Sequence, residues 1–472
     1  MFDNLPSEQQ DDKLALVYES NRNNLVAVNT AAGLTDRVNI SRVVMQGGVF
    51  GSLQCANSID TLGTKCYNTG KHLFTYKNMV KIMPLSMVDD ILAVARCSKE
   101  SLEVNTYINA QIELKKLTFH TPDQKGKSKC NVMHVGKKNH LCPTLMVHGT
   151  IMGQVTEATY LGDIISHDGK NTKNVNSRVA KGLGIITDIM NMLGKLSFGQ
   201  HYFKMGLLLR ESMFLNGILT NVECWYGLTD SEIGQLEQLD LSLLRQILNT
   251  PFSVPSEGVY LELGCLDIRT IIKARRINYL YYLVNQDPNS MLYKFFCTQW
   301  KYSCKNDWTL QVKQDLSDFE ISADFNELKK KSIDSFKQLV RRKAKEYAFY
   351  TFLEKQASHS KLDNICYTEL KLQDYLENMS ANEAQTVFSY RTRMANFKEN
   401  YRGPGGPQPC PLCNLHLDTQ SLSFQCPLVK NNVKLEGKYN TIFSNKIDKT
   451  LVKTLLDINK FRKEFMESRQ IN

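Results

Sequence analysis

No stretch of this 472-residue sequence holds the run of about 18 apolar residues that a bilayer-spanning helix needs, so no membrane span is expected. The opening residues, "MFDNLPSEQQDD", lack the basic start and apolar run of a secretory signal. No internal repeat of fixed period is present. A disulfide framework is also missing. The thirteen cysteines are an odd number, scattered singly except for one C-x-x-C, which fits free thiols in a reducing, intracellular compartment. Nor is one sign of charge dominant. The net charge of +10 suits a polyanionic partner, but many ordinary proteins are as basic.

With 42% hydrophobic residues, the chain can build a real core and two to four domains. "NLVAVNT" (24–30) alternates like a strand, and "GLTDRVNI" (33–40) looks like the other arm of a hairpin. "VVMQGGVFGSLQC" (43–55) opens with glycines and turns helical. "PLSMVDDILAVAR" (84–96) reads as strand, turn, strand. Residues 99–118 form the next element, an amphipathic helix with Leu102, Val104, Ile108, Ile112 and Leu117 as apolar candidates. "SKCNVMHVG" (128–136) and "VTEATYLGDIIS" (155–166) read as strands, the second with a hairpin partner at 144–152. After Asp168 the pattern is helical, with breaks at 194–199 and at "NTPFSVP" (249–255). The clearest helices are 271–284 and 332–353. "GPGGPQP" (403–409) is a linker by composition, and the tail is a charged helix.

The aspartate pair Asp89–Asp90 stands between apolar runs. Aspartate favours turns, so an ordinary exposed turn is one reading. The other is a metal site, since carboxylates held by two strands can converge on Mg²⁺ ions spaced about 3.5–4 Å apart for phosphoryl transfer.

The order of motifs bears on that choice. The glycine turn leads into a helix, then the aspartate hairpin, a second helix, "SKCNVMHVG", and "ATYLGDIISHDGKNTKNVNSRVAKGLG" (158–184). In this order the sequence resembles the reverse transcriptases of non-LTR (LINE-type) retroelements. "MVDDIL" resembles the family's catalytic hairpin, and "VVMQGGVFGSLQC" its V-x-Q-G-x-x-x-S segment. "SKCNVMHVG" resembles the strand after the palm helix, and "ATYLGDII" the segment that enters the thumb. "YLELGCLDIRTIIKARRINYLYYLV" and the later "RTRM…NYRG…CPLC" resemble the family's downstream region.

The resemblance implies RNA-directed DNA synthesis by two-metal nucleotidyl transfer, with an RNA template, a DNA primer or target and dNTP as partners and a nuclear location. Asp89 becomes a Mg²⁺ ligand, and Asp90 assists it. Gln46, Gly47 and Ser52 would lie against template and nucleotide, with Lys129 near the polyphosphate. Taken alone, Gly47, Gly48 and Gly51 read equally as a loop before a helix, and Lys129 as a surface charge. The family takes another metal-binding aspartate from a strand farther upstream than the 46 residues before Gly47 allow. The expectation is therefore an N-terminally truncated polymerase, without fingers and the first palm aspartate motif.

The expected fold class is α+β. A partial polymerase palm, an antiparallel sheet with helices, spans 1–157, followed by thumb and connection helices (158–250) and a helical nucleic-acid-binding region (251–402). A zinc-knuckle-like module (403–430) and a helical tail (431–472) complete the chain. Arg178 and Lys181 would open the thumb beside the template–primer, though ordinary surface charge explains them as well. Between Glu327 and Lys361 stand ten Lys/Arg, among them Arg341, Arg342 and Lys343, against four Asp/Glu, with Tyr347, Phe349 and Tyr350 just after the densest part. "RTRMANFKENYR", with Arg391 and Arg393, repeats the mix of base and aromatic. Such stripes suit phosphates and unpaired bases; a solvated helix face is the alternative.

"CPLCNLHLDTQSLSFQC" offers Cys410, Cys413, His416 and Cys426. A C-x-x-C with further soft ligands has zinc character. Related retroelement proteins carry a histidine three or four residues before the last cysteine. Here Ser421, Leu422 and Ser423 fill that place, and His416 stands close behind Cys413. The alternatives are zinc through a substituted His416 or a loop of free thiols. Two rival readings of the whole remain: a catalytically dead nucleic-acid-binding remnant, and an unrelated helical scaffold in which the aspartates only turn the chain.

Overall fold

The computed structural model describes residues 24–26, 29–30, 33–34, 36, 38–40, 66, 69–71 and 73–87. From 90 it describes the chain to 470, apart from 116, 118, 120–128, 137–141, 196–200, 306, 401–407 and 445. The fold is mixed: small sheets lie in the first part of the chain, and helices dominate the remainder. The chain divides into two compact units, one of residues 1–158, 166–169 and 287–302, the other of 159–165, 170–286 and 303–472. Among the described residues no helix is long and apolar enough to cross a membrane.

Each sheet among the described residues is two-stranded. β1 (Asn24–Val26) pairs antiparallel with β4 (Val38–Ile40), and β2 (Asn29–Thr30) with β3 (Gly33–Leu34) between them. β5 (Phe74–Tyr76) pairs with β6 (Val80–Ile82), and β7 (Leu85–Met87) with β8 (Asp90–Leu92). β9 (Asn131–Val132) runs parallel to β12 (Gly153–Gln154), while β10 (Met146–Val147) and β11 (Thr150–Ile151) form a hairpin. β13 (Glu157–Tyr160) and β14 (Asp163–Ser166) form another.

Three of these turns contain two successive residues of positive φ: Lys77 and Asn78, His148 and Gly149, and Leu161 and Gly162. That is the requirement of the type I′ turn, whose twist matches the strands it joins. The last of them corrects the sequence reading. The alternation predicts one strand over 155–166, but the Leu161–Gly162 turn folds "YLGDII" back on itself.

In the first unit, helix α1 (Ser98–Leu114) buries Val104, Ile108 and Ile112 at four-residue intervals. Ile91 of β8, Tyr107 and Phe119 pack on this stripe. The side-chain amides of Asn105 and Asn109 both donate to the Met146 carbonyl at 2.9 Å, tying α1 to the β10–β11 hairpin. The β5–β6 hairpin meets the helix Met291–Lys301, where the Tyr76 and Phe295 rings lie 4.7 Å apart.

The second unit is helical, and a large apolar core runs through part of it. Helix α2 (Thr172–Lys195) packs on α3 (Asp230–Leu248) so closely that a Cβ at Gly182 would lie 2.5 Å from Leu239 Cδ2. A capping box of Thr229 and Glu232 starts α3, and Asn249 ends it at φ 49°. α4 (Ser256–Leu263) and α5 (Ile268–Val284) come next, both with buried faces. α6 (Ile333–Gln356) buries Phe336, Val340, Ala344, Ala348, Phe352 and Gln356 at strict four-residue spacing. α7 (Ala381–Arg391) packs on the tail helix α8 (Lys449–Gln470), whose Leu451, Val452, Leu455 and Ile458 are buried. The expected helices at 271–284 and 332–353 are thus present as α5 and α6.

Charged cross-ties run through this core. Arg210 holds Asp240 through two hydrogen bonds of 2.6 and 2.7 Å, and Arg276 holds Asp315 at 2.7 and 3.1 Å. Arg391 pairs with Glu262, and Arg462 with Asp418. Buried charges persist only when paired in this way.

Candidate functional sites

The aspartate hairpin is built by β7 and β8. The register pairs Leu85 with Leu92, Ser86 with Ile91 and Met87 with Asp90. Antiparallel pairing of Met87 with Asp90 leaves two residues for the connection, Val88 and Asp89, which lie outside the described residues. Asp90 is exposed at the start of its strand. Its neighbour Ile91 is the residue that packs on α1, so the hairpin is anchored one residue behind its acidic end. Gln46, Gly47 and Ser52 also lie outside the described residues. Lys129 is exposed.

Arg178 stands differently from its sequence reading. It is 6% exposed, and its Nη2 donates to Asp163 Oδ1 at 2.8 Å and to the Gly162 carbonyl at 2.9 Å. Asp163 also accepts from Asn174 Nδ2 at 3.2 Å, Asn221 Nδ2 at 2.9 Å and Trp225 Nε1 at 3.2 Å. A carboxylate so enclosed needs a cation, and Arg178 supplies it. Arg178 therefore holds the β13–β14 turn to α2 instead of facing a phosphate. Lys181, one turn on, is exposed. Sequence reasoning misses Asp163; its only signal is its place directly after the turn glycine.

Arg391 is likewise interior. Its side chain has no solvent exposure and meets Glu262, whose carboxylate also accepts from the Tyr367 hydroxyl at 2.8 Å. Burial pushes the Tyr367 hydroxyl well above its usual range, and the Glu262 charge adds to this. A phosphate contact at Arg391 is excluded by this burial. Arg393, two residues on, is half-buried with φ 53°.

The basic stretch of α6 divides by face. Its apolar stripe points inward, leaving Lys337, Arg341 and Lys345 along one exposed row at four-residue spacing. A second exposed row holds Arg342, Glu346 and Tyr350, with Arg342 Nε 3.7 Å from Glu346. Lys343 is half-buried and neutralised by Glu320 at 2.7 Å and Glu346 at 3.3 Å. The charge free to meet an anion is therefore concentrated in Lys337, Arg341 and Lys345, two of them not singled out from the sequence.

The cysteine segment brings three thiols together. The Sγ atoms of Cys410, Cys413 and Cys426 all lie within 4.8 Å of one another. Tetrahedral zinc with Zn–S bonds of about 2.3 Å sets thiolates about 3.8 Å apart, so small movements suffice to close on an ion. The loop that carries the first two is held by backbone bonds: Cys410 N–H to the His416 carbonyl at 2.6 Å, and Asn414 N–H to the Cys410 carbonyl at 2.9 Å. The Leu415 N–H points at Cys413 Sγ, 3.5 Å away. Cys426 begins the short helix Pro427–Asn432. Cys410 and Cys426 are buried in the same core as α7 and α8, and Cys413 is half-buried.

Partial burial raises the Cys413 thiol. The amides of Leu415 and His416 and the thiols of Cys426 and Cys410 outweigh this, and the net shift is downwards. Burial pushes Cys426 up to about 11 against the pull of the Val429 and Leu428 amides. Among the described residues no imidazole or carboxylate joins the three sulfurs. His416, expected as a fourth ligand, contributes its backbone to the loop while its ring stays outside the group.

Comparison with known proteins adds no relative: no family model matches the chain, and no curated protein or solved structure matches it.

Proposed function

We propose that this chain belongs to an RNA-directed DNA polymerase of a LINE-type retroelement. In this reading Asp89 and Asp90 belong to a site for two Mg²⁺ ions, at which a primer 3′-OH attacks a dNTP along an RNA template. Gln46, Gly47, Ser52 and Lys129 would contact nucleotide or template. The observation that carries the reading is the β7–β8 register, in which Met87 faces Asp90 across a two-residue connection. The β7–β8 pairing, backed by the Ile91–α1 contact, would give the carboxylate ligands of a metal pair the support they require. The motif order in the sequence supports the same assignment. The protein then works with nucleic acid in a reducing compartment, the nucleus being the natural one.

A second reading has its own support. The exposed row of Lys337, Arg341 and Lys345, with Tyr350 on the adjoining row, suits a nucleic-acid strand whether or not chemistry occurs. This is the catalytically silent, RNA-binding remnant of such an enzyme. Zinc held through Cys410, Cys413 and Cys426 belongs to both readings, since it would brace the end of the helical unit.

Primer extension separates the two. The polymerase reading expects Mg²⁺-dependent extension on an RNA template when an upstream palm strand with its aspartate is supplied on the same polypeptide, and loss of extension in Asp89→Ala. The remnant reading expects salt-sensitive RNA binding without extension.

A further inference from the structure

We infer that the thiol cluster binds zinc through three cysteine thiolates and leaves the fourth coordination position to a ligand from solution: water at rest, replaceable by a small thiol or imidazole. The inference rests on the zinc assignment above and is independent of whether the chain polymerises.

Three observations carry it. First, the convergent donors are sulfur only, within 4.8 Å, and no histidine, aspartate or glutamate among the described residues shares their company. Second, the residue best placed in sequence to complete the set, His416, is constrained by its backbone. Its carbonyl accepts from Cys410 N–H at 2.6 Å, within the antiparallel bridge that pairs Pro409 with Leu417. Its ring is not among the donors that converge with the three sulfurs. Third, the cluster has a closed side and an open side. Cys410 and Cys426 are 4% and 1% exposed, whereas Cys413 is half-buried and precedes exposed Asn414 and Leu415. In the inferred site a small molecule would approach the metal past Cys413.

The charge count agrees. Three thiolates and Zn²⁺ sum to −1, and a neutral fourth ligand leaves that value unchanged. Arg469, whose guanidinium donates to the Pro411 carbonyl at 3.3 Å, supplies a cation beside the loop. A site that keeps an open position on zinc differs from closed structural sites, where four protein ligands leave no place for a small molecule.

Cobalt(II) tests this, because its d–d bands report coordination geometry and its sulfur charge-transfer bands report the number of thiolates. The full chain is loaded with one equivalent of Co²⁺, and 2-mercaptoethanol or imidazole is then titrated in. The expected result is a starting charge-transfer intensity of three thiolates, kept on adding imidazole and raised by about a third as 2-mercaptoethanol loses its proton and binds as a fourth thiolate, with d–d bands that shift in both cases. His416→Ala leaves the starting spectrum unchanged. Cys413→Ser, at the half-exposed position, lowers the charge-transfer intensity by about a third, with circular dichroism reporting that the helices persist. If His416→Ala alters the d–d bands while added thiol and imidazole do not, His416 closes the site and the inference is overturned. Failure to bind Co²⁺ at equimolar concentration overturns both the inference and the zinc assignment. Neither outcome touches the polymerase reading, which is decided by extension.

Discussion

The Arg391 guanidinium donates from Nε to Glu262 Oε1 at 2.8 Å, and neither side chain reaches solvent. Nη1 of the same arginine donates to the Ile442 and Ser444 carbonyls at 2.6 and 2.9 Å, so one side chain links α4, α7 and the segment before α8. Removing one member strands the other charge in the core. Glu262→Ala is expected to cost about 3–5 kcal/mol. Urea unfolding monitored by circular dichroism measures it, and an unchanged midpoint would show that the pair contributes nothing.

Gly264 ends α4 at φ 64°, and a Cβ there would lie 1.9 Å from the Lys371 carbonyl carbon. The left-handed backbone alone costs a non-glycine residue about 1–2 kcal/mol, and the backbone contact adds to it. Gly264→Ala should therefore lower the unfolding midpoint by more than that strain accounts for. Gly234, within α3, has nothing within 4 Å of its Cβ position and serves as the control. Gly234→Ala is expected to be neutral or stabilising.

Replacing Lys337, Arg341 and Lys345 together by alanine should weaken binding to single-stranded RNA and leave thermal stability in place, since all three are exposed. If each meets one phosphate, the slope of log affinity against log salt falls by about 2. Arg178→Ala should do the reverse. It leaves Asp163 without its cation at the β13–β14 turn, so stability drops while the salt slope stays. A filter-binding series at several salt concentrations, paired with thermal melts, distinguishes the two patterns.

Metal loading should stabilise the second unit, because zinc bound only by the folded state adds its binding free energy to folding. The expected outcome is a melting temperature that falls on treatment with a strong chelator and recovers on adding Zn²⁺. Cys410→Ser should show no such response. The same fall in that variant would place the chelator's target elsewhere.

The parts legible in the sequence are those governed by local rules. The apolar residues of α6 recur every four positions from Phe336 to Phe352, and the helix results from that spacing. The aspartate hairpin is readable because two short apolar runs flank turn-favouring residues. Other features need the tertiary structure. "YLGDII" has the composition of one strand, and only the two left-handed residues inside it reveal a hairpin. Arg178 and Arg391 read as surface cations, because their partners Asp163 and Glu262 lie 15 and 129 positions away. The thiol cluster is visible as C-x-x-C plus a distant cysteine. That the His416 ring stays outside it is a matter of side-chain placement, which spacing alone does not specify.

The central claim concerns the aspartate hairpin, and extension of a primer on an RNA template tests it most directly. The chain is joined to an upstream palm strand carrying an aspartate, supplied with Mg²⁺ and dNTPs, and compared with the same polypeptide bearing Asp89→Ala. The account predicts extension by the first and none by the second, with RNA binding equal in both. Extension that survives Asp89→Ala, or its absence from both, would contradict the claim that this hairpin is a polymerase metal site.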